Sequence, residues 1–232
     1  YHRNANISTT GSWSTRKNRT SSDVATQPEQ RAKIVVYAAD HGATAIYAEK
    51  AMAASMKEAD RLVESVERNG VILNLGTNRR WDPAFDMMKS VIDSGDLGRL
   101  SSISIYNTGK LFNGASHHFD IAMRLNNDQP VLWVQAHLPY GHCGEHANDG
   151  DFEYLTFPDY ERVSPTLRLV QALDTGIPTP GGVRLARRNL ELIFAFIESH
   201  RRGGKRVRLP LDGCKLTLQR GVAPKPPRYS AE

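Results

Sequence analysis

Between residues 28 and 95, apolar positions repeat alternately with the period of a helix and with that of a strand. Three stretches carry a helical stripe and close at a glycine, and two short apolar runs lie between them. The predicted elements are helix 28–40, strand 43–48, helix 55–70, strand 71–75 and helix 82–95. This alternation favours an α/β fold with a parallel sheet. Two strands are too few for a stable doubly wound sheet, so we expect strands to be missing or supplied elsewhere.

Sequence signals mark the beginnings of two of these helices. Ser55 and Glu58 form a capping box, and Asp82 followed by Pro83 combines a cap with a favourable first helical residue. The stripe of the third helix predicts four inward-facing residues, Phe85, Met88, Val91 and Ile92.

The second half of the chain has a less regular pattern. Ser116 is predicted to cap a short helix. The other predicted elements are a half-exposed strand 100–106, helix 117–126, strand 131–136, strand 152–157, helix 165–176, helix 183–200 and strand 207–211.

Charge and polarity separate the two ends from the middle. The net charge is +5; residues 1–33 hold six Lys/Arg against two acids, and residues 201–232 hold nine against two. Residues 1–27 are polar without an apolar period and are predicted to be disordered, and 213–232 form a basic, proline-rich tail. Neither end combines charge with the ordered aromatic or groove-entering elements of nucleic-acid readers, so we expect no specific nucleic-acid partner.

Cysteine content and hydropathy indicate the compartment. Cys143 and Cys214 are the only cysteines, which is no disulfide framework and favours a reducing environment. No apolar run reaches the length of a membrane span. We therefore expect a cytoplasmic chain without a membrane partner.

Lys50 is the first candidate for chemistry. The run Ile46-Tyr47-Ala48 leads directly into Glu49 and Lys50, at the predicted carboxyl end of a buried strand. Ligands bind at that end of open α/β sheets, and a partly desolvated lysine can transfer protons near neutral pH. A solvated Glu-Lys pair explains the spacing equally simply, and by spacing alone it is the favoured alternative.

Two histidine groups are further candidates. His117 and Asp120 lie three residues apart on one predicted helix and could form a proton shuttle, although a locally packed histidine is favoured by spacing alone. The loop with His137, His142, Cys143 and His146 has enough zinc ligands but lacks their usual paired spacing, so a histidine-rich loop is favoured. The sequence contains no G-x-G-x-x-G, no G-x-x-x-x-G-K-[ST] and no G-x-S-x-G.

Several segments together resemble one family. The run AIYAEKAMAASMKEADRLVESVERNGVILNLGTNRRWDPAFDMMKSVIDSGDLG, then NGASHHFDIAMRL, then LVQALDTGIP and VRLPL, is similar to the glucose-fructose oxidoreductase / inositol dehydrogenase (Gfo/Idh/MocA) family. Its Glu-Lys-Pro motif matches Glu49-Lys50, its Asn-Arg-Arg stretch matches residues 78–80, and its histidine helix matches 113–125. The resemblance covers residues 28–212 in the right order.

The resemblance implies an NAD- or NADP-dependent oxidoreductase of sugar metabolism, with sugars or polyols as substrates. It implies a Rossmann part at 28–98 and a shortened α+β domain with a mostly antiparallel sheet at 99–212, able to form a homo-oligomer through that sheet. The implied site residues are Lys50 and His117 for catalysis, Asn78, Arg79, Asn113 and Asp120 for substrate, Glu49 and Lys50 for the cofactor, and none for a metal.

The chain also departs from the family pattern. It has no glycine loop, Ala51 replaces the family's proline, and Asn113 replaces an acid. The short segment 151–164 stands where the family has several strands. We therefore expect a truncated, impaired oxidoreductase; an inactive family remnant that acts only in association is the alternative, and a metal-binding loop protein is the least favoured.

Overall fold

The computed structural model describes residues 20–106, 111–138 and 165–218. Its central feature is a parallel sheet of β1 (Ser21–Val24), β2 (Ala45–Ala48) and β3 (Ile72–Leu75), in that order. The described helices are α1 (Pro28–Asp40), α2 (Met56–Arg68), α3 (Pro83–Ser94), α4 (Ser116–Leu125), α5 (Pro165–Thr175) and α6 (Val183–Arg201). A small antiparallel pair, β4 (Trp133–Val134) and β5 (Val207–Arg208), completes the described strands. The α/β fold class with a parallel and an antiparallel sheet is confirmed.

The main core lies between the sheet and helices α1, α2 and α6. Fully buried apolar side chains come from each of these elements, among them Val35, Ile46, Leu62 and Ile193. Helices α1 and α2 are the crossovers that let consecutive strands run parallel. Helix α6 contributes an apolar side to this core, because Ala186, Leu190, Ile193, Phe194 and Ile197 are all buried.

The expectation of disorder across residues 1–27 is wrong for its last part. Residues 21–24 form β1, and main-chain bonds from Thr44 N to Thr20 O (2.9 Å) and from Glu49 N to Val24 O (3.1 Å) extend its pairing with β2. Only Ser22 and Val24 of the strand are buried. A four-residue strand with one large apolar side chain has almost no hydrophobic pattern, so its stability comes from backbone pairing with its neighbour.

The helix signals in the first half are confirmed in detail. Ser55 Oγ accepts a hydrogen bond from Glu58 N at 3.2 Å, while the Glu58 carboxylate accepts one from Ala54 N at 3.1 Å. Asp82 likewise accepts a bond from Ala84 N. Gly95 ends α3 in the left-handed conformation at φ 77°, which a glycine adopts without steric cost.

The predicted inward face of α3 is wrong. No side chain of α3, which lies entirely in the described part of the chain, is buried, and Met88 and Val91 are 48% and 44% exposed. The helix contacts the turn at 78–81 and α4. Its apolar stripe is real in sequence, but no described element covers it.

The strand predictions in the second half are only partly confirmed. Residues 100–106 form no strand, and Ile103 and Ile105 are exposed. A strand needs a neighbour for its backbone groups, and no described strand pairs with this segment. The strands predicted at 131–136 and 207–211 shorten to β4 and β5. The predicted strand 152–157 lies outside the described residues.

Ser116 does not cap α4. A five-residue π-helical turn, Leu111–Ala115, runs directly into that helix, and the Ser116 hydroxyl donates to Phe112 O at 3.0 Å. None of the described helices is both long enough and apolar enough to cross a membrane.

Candidate active site at the carboxyl ends of the parallel strands

Three loops leave the same edge of the parallel sheet. Thr26 follows β1, Lys50 follows β2 and Thr77 follows β3. Because the strands are parallel, these residues gather at one edge, the usual place for ligands in such sheets. Lys50 also borders a small cavity there, together with Ser116 of α4 and Asn189 of α6.

Lys50 is half-buried and its charge is disfavoured. Burial lowers the pKa of Lys50; Glu49 opposes this effect, while the positive charges of Arg31 and Arg79 lower the pKa further. A lysine with a lowered pKa holds a larger neutral fraction near physiological pH and can exchange protons more easily.

Arg31 was not identified from the sequence, where it was one polar position of a helix. It is 3% exposed, and its guanidinium donates hydrogen bonds to the carbonyl oxygens of Thr26 and Ala51. Burial lowers the pKa of Arg31 to about 10, against the opposing charges of Glu49 and Glu29. Arg31 thereby ties the residue after Lys50 to the end of β1, a long-range contact that no local signal predicts.

Glu49 is fixed by its neighbours. Its carboxylate accepts hydrogen bonds from the Tyr47 hydroxyl at 3.4 Å and from Lys50 N at 3.2 Å. Burial, together with the Glu49 charge, raises the pKa of Tyr47 to about 12, so the phenol stays protonated and can donate. A side chain at Gly76 would place its Cβ 2.8 Å from the Tyr47 hydroxyl oxygen. The glycine therefore leaves room for this pair.

His117 faces the same group of charges from α4. Burial lowers the pKa of His117 to about 4, assisted by the positive charges of Lys50, Arg79 and His118. Its Nδ1 is buried and has no hydrogen-bond partner among the described residues. The imidazole is therefore neutral at physiological pH, with one ring nitrogen left for a ligand.

Arg79 is held near this site by a hydrogen bond to His118, a residue that was not predicted from the sequence. The Nη1 atom of Arg79 lies 2.6 Å from His118 Nε2, and His118 Nδ1 lies 3.1 Å from Gly114 O. A carbonyl can only accept, so Nδ1 carries the hydrogen and Nε2 accepts from the arginine. Burial and the Arg79 charge lower the pKa of His118, which agrees with this neutral tautomer.

Arg80 has a different environment. It is 2% exposed; its Nε lies 3.0 Å from both carboxylate oxygens of Asp120, and its two terminal nitrogens donate to Asp128 at 2.9 Å. Burial disfavours its charge, yet the bonds to Asp128 and Asp120 raise the pKa of Arg80. The Asp120 carboxylate, a candidate for substrate binding, is thus occupied by Arg80.

The other two predicted substrate residues, Asn78 and Asn113, lie in short helical turns. Asn78 begins a short 3-10 helix, Asn78–Trp81, and is exposed. Asn113 lies in the π-helical turn, and its side chain is outside the described part. His142, Cys143 and His146 also lie outside it, and no group of three potential metal ligands occurs among the described residues.

A larger cavity of about 450 Å³ lies elsewhere, lined by residues 100–103 together with side chains of α4, β4 and α6. Neither Lys50, His117 nor Arg79 borders it. Its walls include Phe119, Trp133 and Phe196, and it offers no proton-transfer group. The strand-end site therefore remains the candidate for chemistry.

The carboxyl edge of the sheet offers buried polar atoms to a ligand, whereas the sequence has no glycine-rich pyrophosphate loop. In the described part of the chain, Thr26 Oγ1, Glu29 Oε2, Arg31 Nε and His117 Nδ1 are buried without a hydrogen-bond partner. Buried polar atoms ordinarily have partners, so this edge offers unused capacity for a polar ligand. The backbone cradle that a glycine-rich loop gives a pyrophosphate has no counterpart in the sequence.

The carboxyl edge of the parallel sheet thus has a half-buried lysine and, facing it from α4, a neutral histidine. No known protein-family profile matches the chain. A stretch of 53 residues is 36% identical to the uncharacterised oxidoreductase YrbE of Bacillus subtilis, covering 23% of this chain and 16% of that protein. A stretch of 76 residues is 33% identical to scyllo-inositol 2-dehydrogenase (NAD(+)) of the same organism, covering 33% and 22%.

Solved structures extend the similarity over more of the fold. The WlbA dehydrogenase from Bordetella pertussis, solved with NADH and UDP-GlcNAcA, matches with a TM-score of 0.63 at 18% identity, over 83% of this chain and 80% of that chain. The resemblance to Gfo/Idh/MocA-type dehydrogenases is therefore confirmed, in sequence for part of the chain and in fold for most of it. The matched stretches span less than a quarter of the two curated relatives.

Proposed function

We propose that this chain carries the proton-transfer site of an NAD(P)-dependent oxidoreductase that acts on CH–OH groups of sugars, polyols or their derivatives. The observation that carries the proposal is the convergence of Lys50, His117 and Arg79, from three separate elements, at the carboxyl edge of the sheet. The electrostatics supports it, since burial lowers the pKa of Lys50 and of His117 and the charge of Arg79 lowers both further.

Oxidation of an alcohol requires a group that receives the hydroxyl proton. His117 is neutral and its buried Nδ1 has no partner among the described residues, so this nitrogen can form a hydrogen bond with a substrate hydroxyl. Lys50, whose ammonium is destabilised by burial, passes a proton on or returns it in the reverse reaction. NAD(P), when bound, supplies the acceptor for the hydride.

Glu49 and Lys50 are the residues that would contact the reactive end of the cofactor. Glu49 is held by Tyr47 and by the backbone of Lys50, so its carboxylate has a fixed position from which to accept hydroxyl hydrogen bonds. The sequence contains no glycine-rich loop of the type that binds a pyrophosphate. We therefore expect an affinity for NAD(P) well below that of a complete dinucleotide-binding domain.

The alternative is a family remnant that acts only in association with another copy or another protein. The exposed apolar side chains Met87, Val91 and Leu97, on and after α3, favour this second reading. Apolar surface of this kind is often covered by a partner.

NADH fluorescence separates the two functions. Saturable enhancement on adding the chain would support the oxidoreductase, and its absence throughout the titration would support the remnant. Formation of NADH from NAD⁺ should then be followed with a panel of polyols. Lys50→Ala should lower the rate by at least about 100-fold, as expected for loss of a general acid or base. Lys57→Ala, at an exposed position of α2, is the matched control and should leave the rate unchanged.

A further inference from the structure

Two adjacent arginines of the 3-10 helix have opposite electrostatic environments. Arg80 forms salt bridges with Asp120 and Asp128. Arg79 has no carboxylate of the described residues within salt-bridge distance, and its hydrogen-bond partner there is the neutral His118. The charge of Arg80 is compensated inside the protein, whereas the charge of Arg79 is held in place without a counter-ion among those residues.

The charge of Arg79 acts on the two candidate proton-transfer groups. Burial comes first among the causes that lower the pKa of Lys50 and of His117, and the Arg79 charge lowers both values further. Arg31 adds a third positive charge near Lys50, while Glu49 is the acid that opposes it. Arg79 is therefore a positive charge that acts on both candidate proton-transfer groups.

A guanidinium held in this way is suited to a carboxylate. It has five N–H donors in a planar fork that matches two carboxylate oxygens, and in the described part of the chain only Nη1 of Arg79 has a hydrogen-bond partner. His118 contributes by fixing the guanidinium without neutralising it. A carboxylate in place of His118 would form an internal salt bridge and use up the charge.

We infer that Arg79 binds a carboxylate group of the substrate, so that the substrate is a sugar acid or another acidic polyol, and that His118 is the positioning residue for Arg79. This inference rests on the proposed function, because it specifies the substrate class of the same site. Asp120, three residues after His117, is consistent with this inference because it pairs with Arg80 and not with Arg79.

The test compares two probes that differ in one group. D-gluconate carries a carboxylate where D-glucitol carries a hydroxymethyl group, and calorimetric titration in the presence of NAD⁺ measures the affinity of the full chain for each. We expect gluconate to bind at least about tenfold more tightly, the worth of a hydrogen bond to a charged group. Arg79→Gln should abolish the preference, and Arg99→Gln, at an exposed position, should preserve it.

The role of His118 needs its own pair of variants. His118→Leu removes the acceptor for Arg79 and should weaken gluconate binding while leaving glucitol binding and the melting temperature unchanged. His118→Gln retains an acceptor oxygen and should restore most of the gluconate affinity. Equal weakening of both probes by His118→Leu would show a merely structural role and would overturn the positioning role.

The outcomes separate this inference from the proposed function. Equal binding of the two probes, or no binding of gluconate, would overturn the inference even if glucitol were oxidised. Arg79-dependent gluconate binding without NADH formation from any polyol or acid would support the anion site while contradicting the proposed oxidation. Inorganic phosphate that bound through Arg79 more tightly than gluconate would overturn the assignment to a carboxylate.

Discussion

Replacement of Arg80 by methionine should destabilise the fold strongly, although the neighbouring arginine can be replaced at little cost. Arg80 joins the 3-10 helix to α4 and to the turn that follows it, through five hydrogen bonds to Asp120 and Asp128. Methionine fills much of the same volume but leaves the Asp120 carboxylate, 2% exposed, without its positive partner.

The magnitude follows from the cost of a buried unpaired charge. Removing one member of a buried ion pair costs about 3–5 kcal/mol. For a protein of this size each kcal/mol lowers the melting temperature by about 2–4 °C, so a fall of about 10 °C is expected. Arg79→Met removes a single described hydrogen bond at a partly exposed site and should cost less than about 1 kcal/mol.

Thermal unfolding followed by circular dichroism measures both variants under the same conditions. The double variant Arg80→Met/Asp120→Leu should regain most of the lost stability, because it removes the buried carboxylate together with its partner. Similar melting temperatures for Arg80→Met and Arg79→Met would refute the assignment of Arg80 as a structural residue. Failure of the double variant to recover would show that packing, and not the unpaired charge, sets the cost.

Two further predictions concern the site. His117 has a pKa of about 4 in the fold against an ordinary value of 6.5, so its contribution to stability is complete above pH 6.5 and is lost as the pH falls through about 4. That contribution is at most about 3 kcal/mol, and about 1–2 kcal/mol after allowance for partial exposure. Urea unfolding between pH 4 and pH 6.5 should show it as a free energy of unfolding that rises with pH. His117→Gln should make this pH dependence weaker. Gly76→Ala would place a methyl group 2.8 Å from the Tyr47 hydroxyl and 3.0 Å from the Glu49 carboxylate. Displacing that carboxylate should lower the pKa of Lys50, so Lys50 should react faster with an amine-selective reagent at neutral pH; an unchanged rate would show that Glu49 has not moved.

Sequence patterns predicted the parts of this fold that are locally encoded. The Ser55–Glu58 cap and the Gly95 stop are short-range signals, and each determined a helix end correctly. Strand β1 was not predicted, because it is stabilised by backbone pairing with β2, more than twenty residues away in sequence. The stripe of α3 predicted burial wrongly, since periodicity states which face is apolar and not whether another element covers it.

The same distinction between local signals and long-range contacts applies to the site. Lys50 and His117 could be proposed as residue types in matching motif positions, but the environment of each depends on contacts distant in sequence. The Arg79-Arg80 pair shows this most clearly. Successive residues of a 3-10 helix are about 120° apart, so adjacent arginines point in different directions: Arg80 towards Asp120 and Arg79 towards His118. Two identical side chains thus acquire different roles from one turn of backbone, and only the placement of α4 determines which arginine keeps its charge available to a ligand.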